Sequence, residues 1–175
     1  MKKGWTQLRT AGPVRFTTSE VVGSSLNSGI GPVGELGVAY QLARRGWSVY
    51  SSVVADNLQH YDLIACKAGV MQRIQVKCTS KLEKDTARYS ILAAKGNHKK
   101  ILYTRKECDF IVASLNPIEW YFIFPVEEVK AVTLRFPANF PPDHRYQKYK
   151  DAWHLLETKS PPPTEADEGL AASST

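Results

Sequence analysis

The chain has 175 residues, 43% of them hydrophobic and 23% charged, which is enough for one domain with a sizeable core and too little for two. Lys and Arg number 23 against 17 Asp and Glu; setting aside the tail from Ser160, which holds Glu165, Asp167 and Glu168 and no base, leaves 23 bases against 14 acids, a net +9 that favours a polyanionic partner, nucleic acid before membrane. No apolar run is long enough to span a membrane, the start "MKKGWTQLRT" lacks the apolar stretch of a secretory signal, and Cys66, Cys78 and Cys108 form no CxxC pair, so the expectation is a cytoplasmic protein without a disulfide framework or a zinc site.

Residues 1 to about 30 end in the Gly/Ser/Asn-rich "GSSLNSGIG" and are expected to be a flexible approach to a single domain over residues 31–157. "PVGELGVAYQLARRG" predicts a helix: Pro32 stands near its start, apolar Leu36, Ala39, Tyr40 and Ala43 recur at helical spacing, and Gly46 occupies the C-cap position. "WSVYSSVV" predicts a strand, "ADNLQH" a loop, and "YDLIACKAG" a second strand that turns at Ala68 and Gly69 into a third, "VMQRIQVKCTS". "ARYSILAA" makes a fourth, so a helix precedes an antiparallel meander.

After the polar segment "KGNHKKILYTRKE" come the strand "CDFIVASL", the turn "NPIE", the strand "WYFIFP" and a short helix around "VEEVKA", whose Glu127 and Glu128 read as surface charges. The Pro-rich "FPANFPP" follows. Asp143 is then placed to cap a helix over "HRYQKYKDAWHLLE", with Tyr146, Tyr149, Trp153 and Leu156 as its packing stripe. Residues 158–175 form a Pro/Ala/Ser-rich acidic tail expected to be disordered.

Within "RIQVKCTS" the strand period sets Gln75 and Lys77 on one face and Ile74, Val76 and Cys78 on the other, and the bland expectation for the first face is solvent. Two acids argue otherwise. Asp62 sits inside the apolar "YDLIAC", where a carboxylate needs a cation, donors or a metal. Glu35 shares a helix face with Val38, Ala39 and Leu42, so it points toward the sheet, and Gly34 and Gly37 beside it let the helix approach closely. The short turn between the second and third strands makes Asp62 a cross-strand neighbour of the Gln75–Lys77 face, and one site would then hold Glu35, Asp62, Gln75 and Lys77. For a phosphodiester substrate, Asp62, Glu35, the Gln75 side-chain carbonyl and the Val76 backbone carbonyl offer the oxygen ligands preferred by Mg2+, or by Mn2+ in its place, while Lys77 orients the nucleophile or stabilises the transition state.

This order of elements, a helix with Glu35, a strand with Asp62 and a following strand with Gln75-Val76-Lys77, resembles the PD-(D/E)XK nuclease superfamily over roughly residues 31–130. With the later "DFIVAS...WYFIFPVEEV" it is similar to the branch of homing endonucleases encoded in group I introns, where glutamine holds the acidic position. Tyr61 replaces the motif's proline, which does no chemistry. The resemblance implies an α/β (α+β) restriction-endonuclease-like core, a mixed β-sheet flanked by helices, and a divalent-metal-dependent endodeoxyribonuclease acting on double-stranded DNA, with no membrane partner. A double-strand cut by a chain this small implies a homodimer or homotetramer.

Candidate DNA contacts are Thr79, Ser80, Lys81, Lys84 and Arg88 near the site, and Lys95, Lys99 and Lys100, with His98, Arg105 and Lys106, in the polar segment. Three other readings stay open at this point: a structure-selective resolvase or repair nuclease, a DNA-binding module that kept the nuclease fold without catalysis, and an α/β domain that binds neither DNA nor metal.

Overall fold

The computed structural model describes residues 30–51 and 60–158. The expected N-terminal approach before Ile30, the end of the first predicted strand and the tail after Thr158 lie outside the described residues. The elements are helix α1 (Ile30–Ala43), β1 (Ser48–Ser51), β2 (Leu63–Lys67), β3 (Val70–Thr79), β4 (Leu82–Glu83), β5 (Arg88–Leu92), β6 (Ala94–Lys95), β7 (Ile101–Leu102), β8 (Phe110–Leu115), β9 (Trp120–Pro125) and β10 (Thr133–Pro137).

The main sheet has the order β1-β2-β3-β8-β9, antiparallel except where β3 and β8 run parallel. The β2–β3 hairpin turns at Ala68 (φ 49°) and Gly69 (φ 77°), two left-handed residues that match the twist of the flanking strands. β8, "FIVASL", is buried along its whole length, as expected of a central strand covered on both sides. Burial on its two faces builds two cores. α1 contributes Val38 and Leu42 to the first, against Leu63, Ile74, Val76 and Ile123. The second joins Ile111, Phe122 and Phe124 of the main sheet to Tyr89, Ile91, Leu134 and Phe136 of a smaller sheet ordered β10-β5-β4. Each fully buried Phe or Leu contributes roughly 1.5–3 kcal/mol of transfer free energy.

The restriction-endonuclease-like mixed α and β class expected from the sequence is present, with differences in its parts. On α1 the buried residues are Gly34, Val38 and Leu42, the stripe that Glu35 shares, whereas Leu36 and Tyr40 are 71% and 62% exposed. β5 leaves the meander for the second sheet, and its partner β10 begins between the expected short helix and the Pro-rich stretch, where no strand is expected; Thr133 and Arg135 alternate with buried Leu134 and Phe136, and Pro137 is tolerated because the strand is at the sheet edge. The short helix at Val126–Glu128 is a single 3₁₀ turn.

The expected helix over residues 144–157 is instead two 3₁₀ turns, Gln147–Tyr149 and Trp153–Glu157. Between them Asp151 adopts φ 50°, Asp151 N donates to Tyr121 O at 2.8 Å, and Lys150 bridges Phe122, so the backbone covers the edge of β9. The wrapping sends Tyr146 and Tyr149 into one core and Trp153 and Leu156 into the other, a division across the sheet that one helical stripe does not make. Fully buried Gln72 fastens the end of this segment by donating from Nε2 to Leu156 O at 2.9 Å and Thr158 O at 2.8 Å. Among the described residues no helix is long and apolar enough to cross a membrane.

Candidate active site

β2 and β3 pair from Lys67↔Val70 to Leu63↔Ile74, and continuing that register places Asp62 opposite Gln75. Directly opposed residues of an antiparallel pair share a face, so the two side chains meet. Beyond Ile74, β3 keeps β8 on one edge but has no β2 residue to pair with on the other. The Asp62 carboxylate takes over that edge: Oδ2 accepts from Val76 N at 2.7 Å and from Gln75 Nε2 at 2.5 Å. Gln75 Nε2 also lies 3.2 Å from Val76 O. A carboxylate oxygen, an amide end and a backbone carbonyl therefore converge on one point.

The Gln75–Lys77 face is not solvated. Gln75 is 6% exposed, because β5 and Tyr103 cover the side of the sheet that it shares with Ile111. Lys77 is half-buried, with its ammonium 5.2 Å from the centroid of the buried Tyr103 ring.

Glu35 reaches the site because α1 crosses β3 closely. A Cβ at Gly34 would lie 2.6 Å from Cys78 Cβ and 2.8 Å from Cys78 Sγ, so only glycine permits this separation; Gly37 is less constrained, its nearest neighbour being the Tyr121 hydroxyl at 3.2 Å. Cys78 Sγ also donates to Ile30 O at 3.0 Å, fixing the first turn of the helix. Glu35, Asp62, Gln75, Val76 and Lys77 thus line one open cleft of about 910 Å³.

The electrostatics follow from this crowding. Burial raises the Asp62 carboxyl above its ordinary range, opposed by the Val76 N–H, by Lys77 and by Gln75. Burial also raises Glu35, the Asp62 charge adds to the rise, and Lys77 opposes it. Two carboxylates compete for one cation.

Thr79, Ser80 and Lys81 line the same cleft. Lys84 and Arg88 stand at the turn and start of the β4–β5 hairpin, outside it, and Lys99 and Lys100 lie beside the β6–β7 turn, where Lys100 Nζ donates to Gly96 O at 2.6 Å. Lys95 is turned to an internal ion pair with Glu107, which also meets His60 Nε2 at 3.3 Å and Thr104 N at 3.0 Å. Arg105 pairs with Glu127, which is therefore more than a stray surface charge.

Two features escape the strand and helix periods. Tyr103, beneath Lys77, sits in a segment that reads only as polar. Arg73 and Asp109 form a fork: Arg73 Nε and Nη2 donate to the two carboxylate oxygens at 3.1 and 3.0 Å, Arg73 N donates to Oδ2 at 2.8 Å, and the guanidinium also caps Lys106 O at 2.8 Å and Arg105 O at 2.5 Å. The available signal was Asp109 at the head of an apolar strand, a buried acid in need of a base.

The sequence profile of the family described as PD-(D/E)XK endonuclease matches residues 27–156. The chain belongs to that family. Among solved structures, this family member is similar in fold to a bacterial homing endonuclease, I-Ssp6803I, at 24% identity and a TM-score of 0.59, covering 81% of this chain and 95% of the other. A Holliday junction resolvase, Hjc of the archaeal hyperthermophile Archaeoglobus fulgidus, matches at 14% identity and a TM-score of 0.41 over 75% of this chain and 98% of that one. No curated protein matches the chain.

Proposed function

We propose that the protein is a divalent-metal-dependent, sequence-specific endodeoxyribonuclease, cutting double-stranded DNA at the cleft lined by Glu35, Asp62, Gln75 and Lys77. The observation that carries this proposal is the meeting of Asp62 Oδ2, the Gln75 amide and the Val76 carbonyl on the open edge of β3, with Lys77 on the same strand face.

The donor set fits a hard cation such as Mg2+ or Mn2+. Among the described residues no group of three His, Cys, Asp or Glu is placed to hold a metal, so softer ions lack their usual ligands and a site here draws on an amide and a backbone oxygen. Asp62, the Gln75 side-chain oxygen and the Val76 carbonyl would hold the ion, with Glu35 supplying the second negative charge. The amide's donor end faces the carboxylate, and a half-turn of the amide would present its oxygen instead. A glutamate at position 75 would instead set a second carboxylate against Asp62 Oδ2. When bound, the cation supplies charge neutralisation at the phosphate and acidifies attacking water.

The protein's own groups do the rest. Lys77 donates to the phosphate oxygens or orients the nucleophile, and the side wall formed by Thr79, Ser80 and Lys81 offers hydroxyl and ammonium donors to the DNA backbone. One cleft per chain cuts one strand, so a double-strand break requires an even-numbered assembly, a homodimer or homotetramer; the outward Val33, Leu36 and Tyr40 of α1, all more than half exposed, suit a second copy as the partner.

The test is cleavage of a randomised duplex library with magnesium, by the wild type and by Lys77→Ala, with the products sequenced. Recurrent cut sites lost in the variant are the expected outcome. DNA binding by both proteins without cutting by either, in magnesium or manganese, would leave a binding module and end the enzyme proposal.

A further inference from the structure

The small sheet has a buried face and one that no described residue covers, and the uncovered face is the more informative. Tyr89, Ile91, Leu134 and Phe136, at most 6% exposed, fix which way β5 and β10 are turned. The strand period then sends Arg88, Ser90 and Leu92 of β5, and Thr133 and Arg135 of β10, to the opposite side, paired as Leu92↔Thr133 and Ser90↔Arg135. Arg88 and Arg135 are exposed, and Leu92 is 44% exposed. Among the described residues neither arginine has an acid within salt-bridge distance, but Glu83 stands opposite Arg88 on the same face and near enough to Arg135 for the charges to attract; its carboxylate accepts from Thr86 Oγ1 at 3.0 Å and from Ser90.

The geometry points to this face as the surface that reads DNA sequence in the major groove, an inference that rests on the nuclease proposal and goes beyond it. Three observations carry it. The face is continuous with the cleft, because Leu92 and Lys81 line the cleft themselves and β4 follows β3 directly through Ser80 and Lys81. Its chemistry is that of base recognition: arginine pairs bidentately with guanine O6 and N7, serine and threonine accept either partner, and a leucine suits the thymine methyl. Its size fits as well. Outward residues on a strand repeat about every 6.6 Å, so the row Arg88, Ser90, Leu92 extends about 13 Å, close to the roughly 12 Å width of the groove. Lys84, in the β4–β5 turn, falls at the rim, where phosphates lie.

Selection of bound sequences from a randomised duplex library tests the surface without requiring cleavage. The parent is the full chain carrying Lys77→Ala, and the variants add Arg135→Ala, Arg88→Ala or Lys84→Ala; thermal melting confirms that each is folded. Each arginine variant is expected to lose about tenfold or more of its discrimination at one base pair and to keep the rest of the preferred sequence. Lys84→Ala is expected to weaken binding to all sequences alike and to lower the slope of log K against log salt by about 0.9. Sequence preferences unchanged in both arginine variants, or a parent with no preference, would overturn the inference. Failure of the wild type to cut the selected sequences in magnesium would instead count against the nuclease proposal alone.

Discussion

Asp62 and Asp109 do the same thing to the backbone and opposite things to the protein. Each accepts a main-chain N–H of β3, Asp109 from Arg73 at 2.8 Å and Asp62 from Val76 at 2.7 Å. Asp109 is then closed off by a guanidinium fork that satisfies both oxygens. Asp62 receives an amide instead of a cation at contact distance, and burial holds its carboxyl above the ordinary range. A carboxylate matched by Arg73 is structural. Asp62, with Lys77 near but no cation in contact, lines an open cleft, and on the proposed function it is there that a metal ion would bind.

The largest expected effect tests the reactive side of this contrast. Asp62→Asn and Lys77→Ala are each expected to lower the single-turnover cleavage rate by at least about 10²-fold, with DNA affinity changed far less. The Asn variant, relieved of a buried charge, is expected to melt no lower than the wild type at pH 7 in the absence of metal. A marked fall in melting temperature would place Asp62 with Asp109 as a structural acid.

Asp109→Ala is the reciprocal experiment. It leaves the mostly buried Arg73 without its partner and frees the Arg105–Lys106 turn, which is expected to cost about 3 kcal/mol in urea unfolding. Residual folded protein should still cut at low temperature. Gly34→Ala comes next, at about 1–3 kcal/mol, because the added Cβ forces α1 away from Cys78 and carries Glu35 with it. Adding Cys78→Gly removes the clash but also the Cys78 Sγ–Ile30 O bond, so the double variant should regain the cleavage rate lost in Gly34→Ala more than the stability, and no regain of rate would mean that Glu35 is not displaced by this contact.

The smallest effect is in the pH dependence. Asp62 and Glu35 have folded-state values raised above the ordinary 3.8 and 4.5, so the native protein binds more protons than the unfolded chain between those values and the raised ones. Their contribution to stability is fully present below the ordinary values and is lost as pH rises through the raised ones. Melting temperatures measured across that window should show this decline in the wild type and less of it in the Asp62→Asn, Glu35→Gln double variant. Magnesium, which favours the charged forms, should flatten it in the wild type only.

What the sequence disclosed was what its periods encode. Alternation located β3 and continuous apolar runs located β2, β8 and β9, the Ala68-Gly69 turn set the register that opposes Asp62 to Gln75, and the helix period turned Glu35 toward the sheet. Helical spacing alone does not choose the docking face, because apolar residues surround α1: Leu36 and Tyr40 recur at that spacing yet stay exposed, while Gly34, Val38 and Leu42 dock. Residues 144–157 carry a helical stripe, yet the backbone bonds of β9's open edge compete for them, and pairing with Tyr121 and Phe122 wins. Tyr103 and the Arg73–Asp109 fork depend on which segments the crossover between β3 and β8 brings together. Local pattern carries no record of that.

Gln72 has a practical consequence. Its buried amide ties the chain at Leu156 and Thr158 to the beginning of β3, whereas the cleft residues Thr79 and Ser80 stand at the strand's other end. At about 3.3 Å per residue, the seven steps from Gln72 to Thr79 span about 23 Å. A fluorophore, surface tether or second protein module joined just after Thr158 therefore starts well away from the proposed DNA path, so single molecules can be immobilised there to test for cleavage.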